Sequence, residues 1–219
     1  MDDPISVFRS IYETDHWKGG SGEGSVAEAT VEYRRILEAL ITVPSIRKIV
    51  DVGCGDWQLS RLVDWGTARY TGVDVVPELI AANTRQYGTR RIRFITADAR
   101  TDRLPTADLL VCKDVLQHWP NQSIVDFLRR NLARYRYALL TNDIASVHEH
   151  PGVNADVPLG HWRPLDLEMP PFGLHADWRR DLDIRGEWTK RILLVRRAAG
   201  LTPWKGRSRH SRGNESARH

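Results

Sequence analysis

The chain has 219 residues, 41% of them hydrophobic, enough for one sizeable core and a single domain. No apolar run approaches the roughly 18 residues that cross a bilayer, and the acidic start Met1-Asp-Asp-Pro4 lacks a signal-peptide pattern, so neither membrane insertion nor export is expected. The formal charge of +4 and the pI near 9.3 invite a nucleic-acid partner, but Lys205, Arg207, Arg209, Arg212 and Arg218 against Glu215 hold all of that excess, leaving a neutral body.

In chain order, Asp3-Pro4 reads as an N-cap with proline at the first helical position, and Ile5, Phe8, Ile11 and Tyr12 line one face. Trp17-Lys-Gly-Gly-Ser-Gly-Glu-Gly-Ser25 is too glycine-rich for a helix or strand interior. We read it as a lid with Trp17 as its apolar cover, since a plain connector has little use for an aromatic anchor. Ser25-Val-Ala-Glu28 has the form of a capping box, starting a helix whose stripe (Val26, Ala29, Tyr33, Ile36, Leu37, Leu40) runs until Pro44.

Ile49 to Val52 reads as a buried strand, and Gly53-Cys-Gly55 as a sharp turn where backbone can approach a ligand. Leu59, Leu62 and Val63 then have helical spacing. Tyr70 to Val75 is a second strand with Asp74 near its end, placed to accept hydrogen bonds from both hydroxyls of a ribose. A dinucleotide fingerprint would need a third glycine at Gln58, which disfavours NAD. Pro77 opens a helix that Gly88 ends; Ile92 to Asp98 is a third strand, and Ala107 to Leu116 a fourth that runs into a polar turn. In such a parallel sheet, ligands lie at the carboxyl ends of the strands, which brings Lys113, Asp114, Gln117 and His118 to the cofactor.

Pro120-Asn121 opens another helix, and Tyr137 to Asp143 is the fifth strand. From Val147 to Trp178 periodicity fails; the stretch holds five of the eleven prolines and four of the eight histidines, the mark of a functional loop. Trp162, Leu165, Leu167 and Phe172 argue that it packs down as a substrate-facing cover. His148, His150 and His161 match no common zinc spacing, so no metal is expected. Trp178 to Ile184 and Lys190 to Arg196 form a hairpin. The expected domains are N-terminal helices and lid (1–45), an α/β core with a Rossmann-like, doubly wound seven-stranded sheet (46–200, long loop 147–178) and a basic disordered tail (201–219). Cys54 and Cys112, the only cysteines, suggest no disulfide framework, so a reducing cytoplasm fits best.

The stretch from Asp51 through Gly55 resembles motif I of the class I S-adenosylmethionine (SAM) methyltransferases, although Trp57 stands where that family often has glycine. Beyond it, the glycine-rich lid, Asp114-Val-Leu-Gln-His118, Trp162-Arg-Pro-Leu-Asp-Leu167 and Pro170-Pro-Phe172 resemble a bacterial subfamily of undefined acceptors, over residues 10 to 197 or so. The resemblance implies SAM as cofactor. It would be held by Asp51, Gly53, Cys54, Gly55 and Trp57 at the turn, by Asp74 and Val75, and by Asp98 and Ala99 at the adenine. Lys113, Asp114, Val115 and His118 would complete the site, with Trp17, Ser21 and Gly22 from the lid.

A sulfonium methyl is already electrophilic, so the protein has chiefly to align an acceptor and exclude water. A hydroxyl acceptor profits from a base; His118 is the first candidate and Asp143 the second, set against scaffold roles for both. The leading reading is a small-molecule methyltransferase acting on a hydroxyl ahead of an amine, with a sugar or natural product as acceptor. The alternatives are a non-catalytic SAM-binding regulator or scaffold and a nucleic-acid methyltransferase, the last disfavoured by the neutral body. Oligomeric state is left open.

Overall fold

A computed structural model of the chain describes residues 3–197, so the basic tail expected over 201–219 lies outside the described residues. Its centre is a seven-stranded sheet built from β1 (Lys48–Val52), β2 (Arg69–Asp74), β3 (Ile92–Thr96), β4 (Leu109–Lys113), β5 (Tyr137–Ser146), β6 (Trp178–Ile184) and β7 (Trp188–Arg196). The strand order is β3-β2-β1-β4-β5-β7-β6. Strands β1 to β5 pair in parallel, whereas β7 runs antiparallel to both β5 and β6. The doubly wound α/β sheet and its C-terminal hairpin are as expected. Ile49 to Val52 and Leu109 to Cys112 are buried throughout, as strands covered on both faces must be.

The helices are α1 (Pro4–Glu13), α2 (Val31–Ile41), α3 (Pro77–Tyr87) and α4 (Asn121–Asn131). Asp3 caps α1 by accepting from the backbone N–H groups of Ile5 and Ser6. One sheet face carries Val50, Val52, Leu110 and Leu140 against Ile124, Phe127 and Leu128 of α4. On the other face, Ile49, Val111 and Leu139 meet Tyr33 and Leu37 of α2 and a block of aromatic rings.

Two expected elements differ. The capping box at Ser25 does not form: the Ser25 hydroxyl donates to the backbone carbonyl of Ser21 at 3.1 Å, the chain winds as short 3-10 turns through Thr30, and α2 starts at Val31. The helix expected after Gly55 is also missing; only a 3-10 turn, Ser60–Leu62, bridges β1 and β2. Trp57 and Trp65 fill that place, packing on Tyr70, and the Trp65 indole donates to the carbonyl of Ser60 at 2.8 Å. Leu62, one of the three positions that suggested a helix, faces solvent.

Between β5 and β6 the chain has no helix or strand, yet it is not loose. Leu159, Leu165, Leu167, Phe172 and Leu174 bury into the α4 side of the core. Arg163, with no exposed surface, donates to the carbonyls of Leu116 and Trp119 and to the Asn121 side chain, clamping this segment to the β4–α4 turn. Among the described residues, no helix is long and apolar enough to cross a membrane.

Candidate active site

An open cleft of about 730 Å³ lies at the carboxyl ends of β1 to β4. Of the residues singled out from sequence it gathers Gly53, Asp74, Val75, Asp98 and Ala99 with Lys113, Asp114, Val115 and His118, and Trp17 and Ser21 from the lid. Gly53 has φ +69°, and a Cβ there would overlap Val115 Cγ2, so a side chain at this position would block the floor. Asp74 is buried; its Oδ2 accepts from the Gly55 N–H and its Oδ1 from the Val76 N–H, both at 3.0 Å. Each oxygen keeps a lone pair for the cleft. Burial raises the Asp74 carboxyl above its ordinary pKa despite these bonds.

Asp98, expected to end the third strand, lies two residues past the end of β3, and its carboxylate is gripped at both oxygens by Arg100, at 3.1 and 2.9 Å. An adenine amino group would share it with that guanidinium.

A smaller cavity of about 430 Å³ opens behind the glycine turn and shares Ser21, Ser25, Gly53 and Lys113 with the cleft. Asp51 and Cys54 line it. Asp51 accepts from the Ser60 and Tyr70 hydroxyls at 2.9 and 2.6 Å. Burial outweighs those bonds and lifts its pKa to about 6. Gly22, Gly55 and Trp57 line neither space. Gly55 serves through its N–H to Asp74, and Trp57 sits in the aromatic block with Tyr70, Tyr87 and Phe94.

The lid is fastened at several points. Asp15 accepts from the N–H groups of Gly19 and Gly20, Ser21 donates to Asp56 at 2.7 Å, and Gln58 donates to the carbonyl of Gly19. Gly19, Gly20 and Gly22 all have positive φ, which explains the glycines. Trp17 lies over His118 with ring centroids 4.8 Å apart.

On the far side of Trp17 and His118 is a third cavity, about 1000 Å³ and open, reaching Asp143, Trp162, Trp188 and Lys190. Its floor is a buried charge network. Lys113 pairs with Asp114, and Lys190 pairs with Asp114 at 2.9 Å and Asp143 at 2.7 Å. Asp143 also accepts from Gln117 at 2.9 Å and from the Trp162 indole at 3.3 Å. Burial pushes the Asp114 carboxyl up, but Lys113 and Lys190 outweigh it and hold it at about 2. His118 is 8% exposed, its Nδ1 has no partner, and burial depresses its pKa to about 4 against the pull of Asp114. It is therefore a neutral imidazole at neutral pH. Among the described residues no three His, Cys, Asp or Glu side chains converge as metal ligands.

Sequence reasoning missed Phe8 and Tyr12, which roof the cleft from α1; their helical stripe read as ordinary core. It missed Arg100, whose signal was only its spacing from Asp98. It also missed Lys190, which stands directly opposite Asp143 in the β5–β7 register, a pairing between strands that no local pattern announces.

A family model described as a methyltransferase domain matches residues 49–135. Trans-aconitate 2-methyltransferase of Streptomyces avermitilis is 36% identical over 98 residues, covering 40% of this chain and 36% of that protein. Mouse acetylserotonin O-methyltransferase is 29% identical over 141 residues, 59% of this chain and 35% of that one. The chain thus spans about a third of the length of these curated relatives. Magnesium protoporphyrin IX methyltransferase from Synechocystis, solved with bound SAH, superposes with a TM-score of 0.62 at 17% identity, covering 90% of this chain and all of that one. The cyclase SpnF superposes at 0.61 and 17% identity, covering 89% and 93%, so the fold is shared with a protein named for another reaction. Residues 49–135 thus match a methyltransferase domain, and the 3-2-1-4-5-7-6 sheet with a cleft at its carboxyl edge gives the chain the fold of a methyltransferase solved with SAH.

Proposed function

We propose that the chain methylates a hydroxyl group of a small molecule, a sugar or natural product, using SAM. The observation that carries this reading is the wall between the cleft and the third cavity: Trp17, Ser21, Asp114 and His118 line both, and the buried His118 Nδ1 is unpartnered. When bound, SAM supplies a sulfonium methyl carbon that takes an acceptor's electron pair. The residues fit that cofactor. Gly53 leaves a cradle that a Cβ would fill, Asp74 offers a lone pair on each oxygen to a ribose diol, and Asp98-Ala99 edges the adenine end.

The smaller polar cavity at Asp51 suits the amino-acid end, with Ser21 and Ser25 on its rim. Trp17 excludes water from the shared wall. His118, neutral and buried, takes the acceptor proton at Nδ1. Asp143 is engaged by Lys190, Gln117 and Trp162, which fits a positioning role better than that of a base.

The test begins with calorimetric titration of the purified chain with SAM, SAH and NAD. Micromolar binding of the first two, lost in Asp74→Ala, supports the reading; binding of NAD alone overturns it. Label transfer from methyl-labelled SAM to an acceptor panel, reduced about 10²-fold or more in His118→Ala, then tests the chemistry. A chain that binds SAM and methylates nothing fits a regulator or scaffold instead.

A further inference from the structure

The acceptor cavity has a chemical bias that narrows the substrate, given the cofactor assignment above. Among the described residues its lysines are Lys18 at the rim and Lys190 at the floor, and no arginine lines it. Lys190 is already shared between Asp114 and Asp143. Lys113, behind them, is spent on Asp114 and the carbonyl of Gly24. A carboxylate or phosphate entering would find no free buried cation and would face Asp114, Asp143 and Glu149.

What the floor does offer is acceptors. The oxygens of Asp143 are taken by Lys190, Gln117 and Trp162. Two buried polar atoms stay without partners on the shared wall: Asp114 Oδ1 and His118 Nδ1. A buried acceptor left unpaired is costly, and these two, unlike the other unpartnered atoms of the core, belong to residues that line both the cleft and this cavity. Because Asp114 and His118 both line this wall, one molecule with two donors is the simplest way to satisfy both atoms. Around the opening stand the indoles of Trp17, Trp162 and Trp188, with Trp162 pinned through its Nε1 to Asp143, giving flat apolar faces beside the polar floor.

We propose that the acceptor is a neutral vicinal diol with one apolar face, either a sugar or a catechol, whose adjacent hydroxyls donate to Asp114 Oδ1 and His118 Nδ1. The hydroxyl on His118 is the one methylated. Its proton passes to Nδ1, its oxygen pair forms the bond to the methyl carbon, and the pair of the broken C–S bond stays on sulfur. The proton then leaves from the imidazole to solvent.

The test is binding to the full chain saturated with SAH, followed by tryptophan fluorescence and calorimetry. The probes are catechol against phenol, cis-1,2-cyclohexanediol against cyclohexanol, a methyl glycoside, and benzoate. Each diol should bind at least about tenfold tighter than its mono-ol, since a hydrogen bond to a charged group is worth roughly 1.5–3 kcal/mol. That ratio should fall towards one in Asp114→Asn. Because Asp114 also holds two buried lysines, a second variant that breaks no ion pair, His118→Gln, is measured beside it and should erase the preference as well. The catechol and glycoside arms separate the two sources of the diol.

Equal affinity for diol and mono-ol, tighter binding of benzoate, or binding of no probe overturns the proposal. So does an Asp114→Asn chain that loses SAH affinity but keeps the preference, since Asp114 would then serve the cofactor. Failure of SAH itself to bind is a different result: it removes the cofactor assignment, and this inference with it.

Discussion

His118 and Asp51 are buried groups pushed in opposite senses along the pH scale. Burial takes His118 down from 6.5 to about 4, so between those values the unfolded chain binds a proton that the folded chain refuses. Stability from this group is present above pH 6.5 and lost as pH falls to 4, by about 3 kcal/mol in all. Asp51 goes up from 3.8 to about 6, so the folded chain keeps a proton that the unfolded chain releases, and stability is lost as pH rises through that window. The two slopes oppose each other. His118→Gln should leave a chain whose melting temperature drops as pH rises from 4 to 6, and Asp51→Asn one whose melting temperature rises. Thermal melts across that range check both signs. At pH 7 Asp51→Asn should also be the more stable chain, by roughly 1–3 kcal/mol, since the amide can still accept from Ser60 and Tyr70 without a buried charge.

At the scale of elements, the irregular segment after β5 depends on Arg163. Arg163→Leu would keep the bulk and strand the carbonyls of Leu116 and Trp119, at a cost of about 3 kcal/mol or more. Chemical denaturation should register that loss, and acceptor binding should weaken more than SAH binding, because the clamp supports the wall near His118. Gly160→Ala attacks the same region from outside. Gly160 has φ +86°, and a Cβ there would lie 2.6 Å from Val7 Cγ1, so α1 would be pushed away and Phe8 and Tyr12 with it. Here SAH affinity should fall by about tenfold or more, while the sheet, followed by far-ultraviolet circular dichroism, stays intact.

The elements that sequence made legible share one property: their signals are local. Asp3-Pro4 announced α1, and the buried runs announced the strands. Asp74 was readable as an acid lining the cleft because it ends a strand. The helix start at Ser25 failed because other partners take the groups there. Lys113 draws on the carbonyl of Gly24, and Ser25 turns back to Ser21 instead of capping. After Gly55, apolar spacing over a single turn could not tell a helix from a turn packed with tryptophans. The charge network was invisible for the same reason, since β7 meets β5 only in the folded sheet.

For the whole molecule, the cleft joins parts far apart in the chain: α1 and the lid from one end, the glycine turn, and the ends of β2, β3 and β4. A ligand there should raise the stability of the entire domain. At 100 times its dissociation constant, SAH should add about 2.7 kcal/mol, or roughly 5–10 °C in melting temperature for a chain of this size. Asp74→Ala should abolish that shift. A shift preserved in the variant would remove Asp74 from the site.

Lys190 has one more consequence. It belongs to β7, the last strand among the described residues, which nonetheless slots between β5 and β6 in the sheet. A ribosome-bound chain emerging as far as β6 already contains every other group of the floor, but Asp114 and Asp143 would lack the cation that joins them. A chain ended before β7 would keep the glycine turn and Asp74 but leave two buried carboxylates without the lysine between them, so truncation there should cost stability as well as the floor of the third cavity.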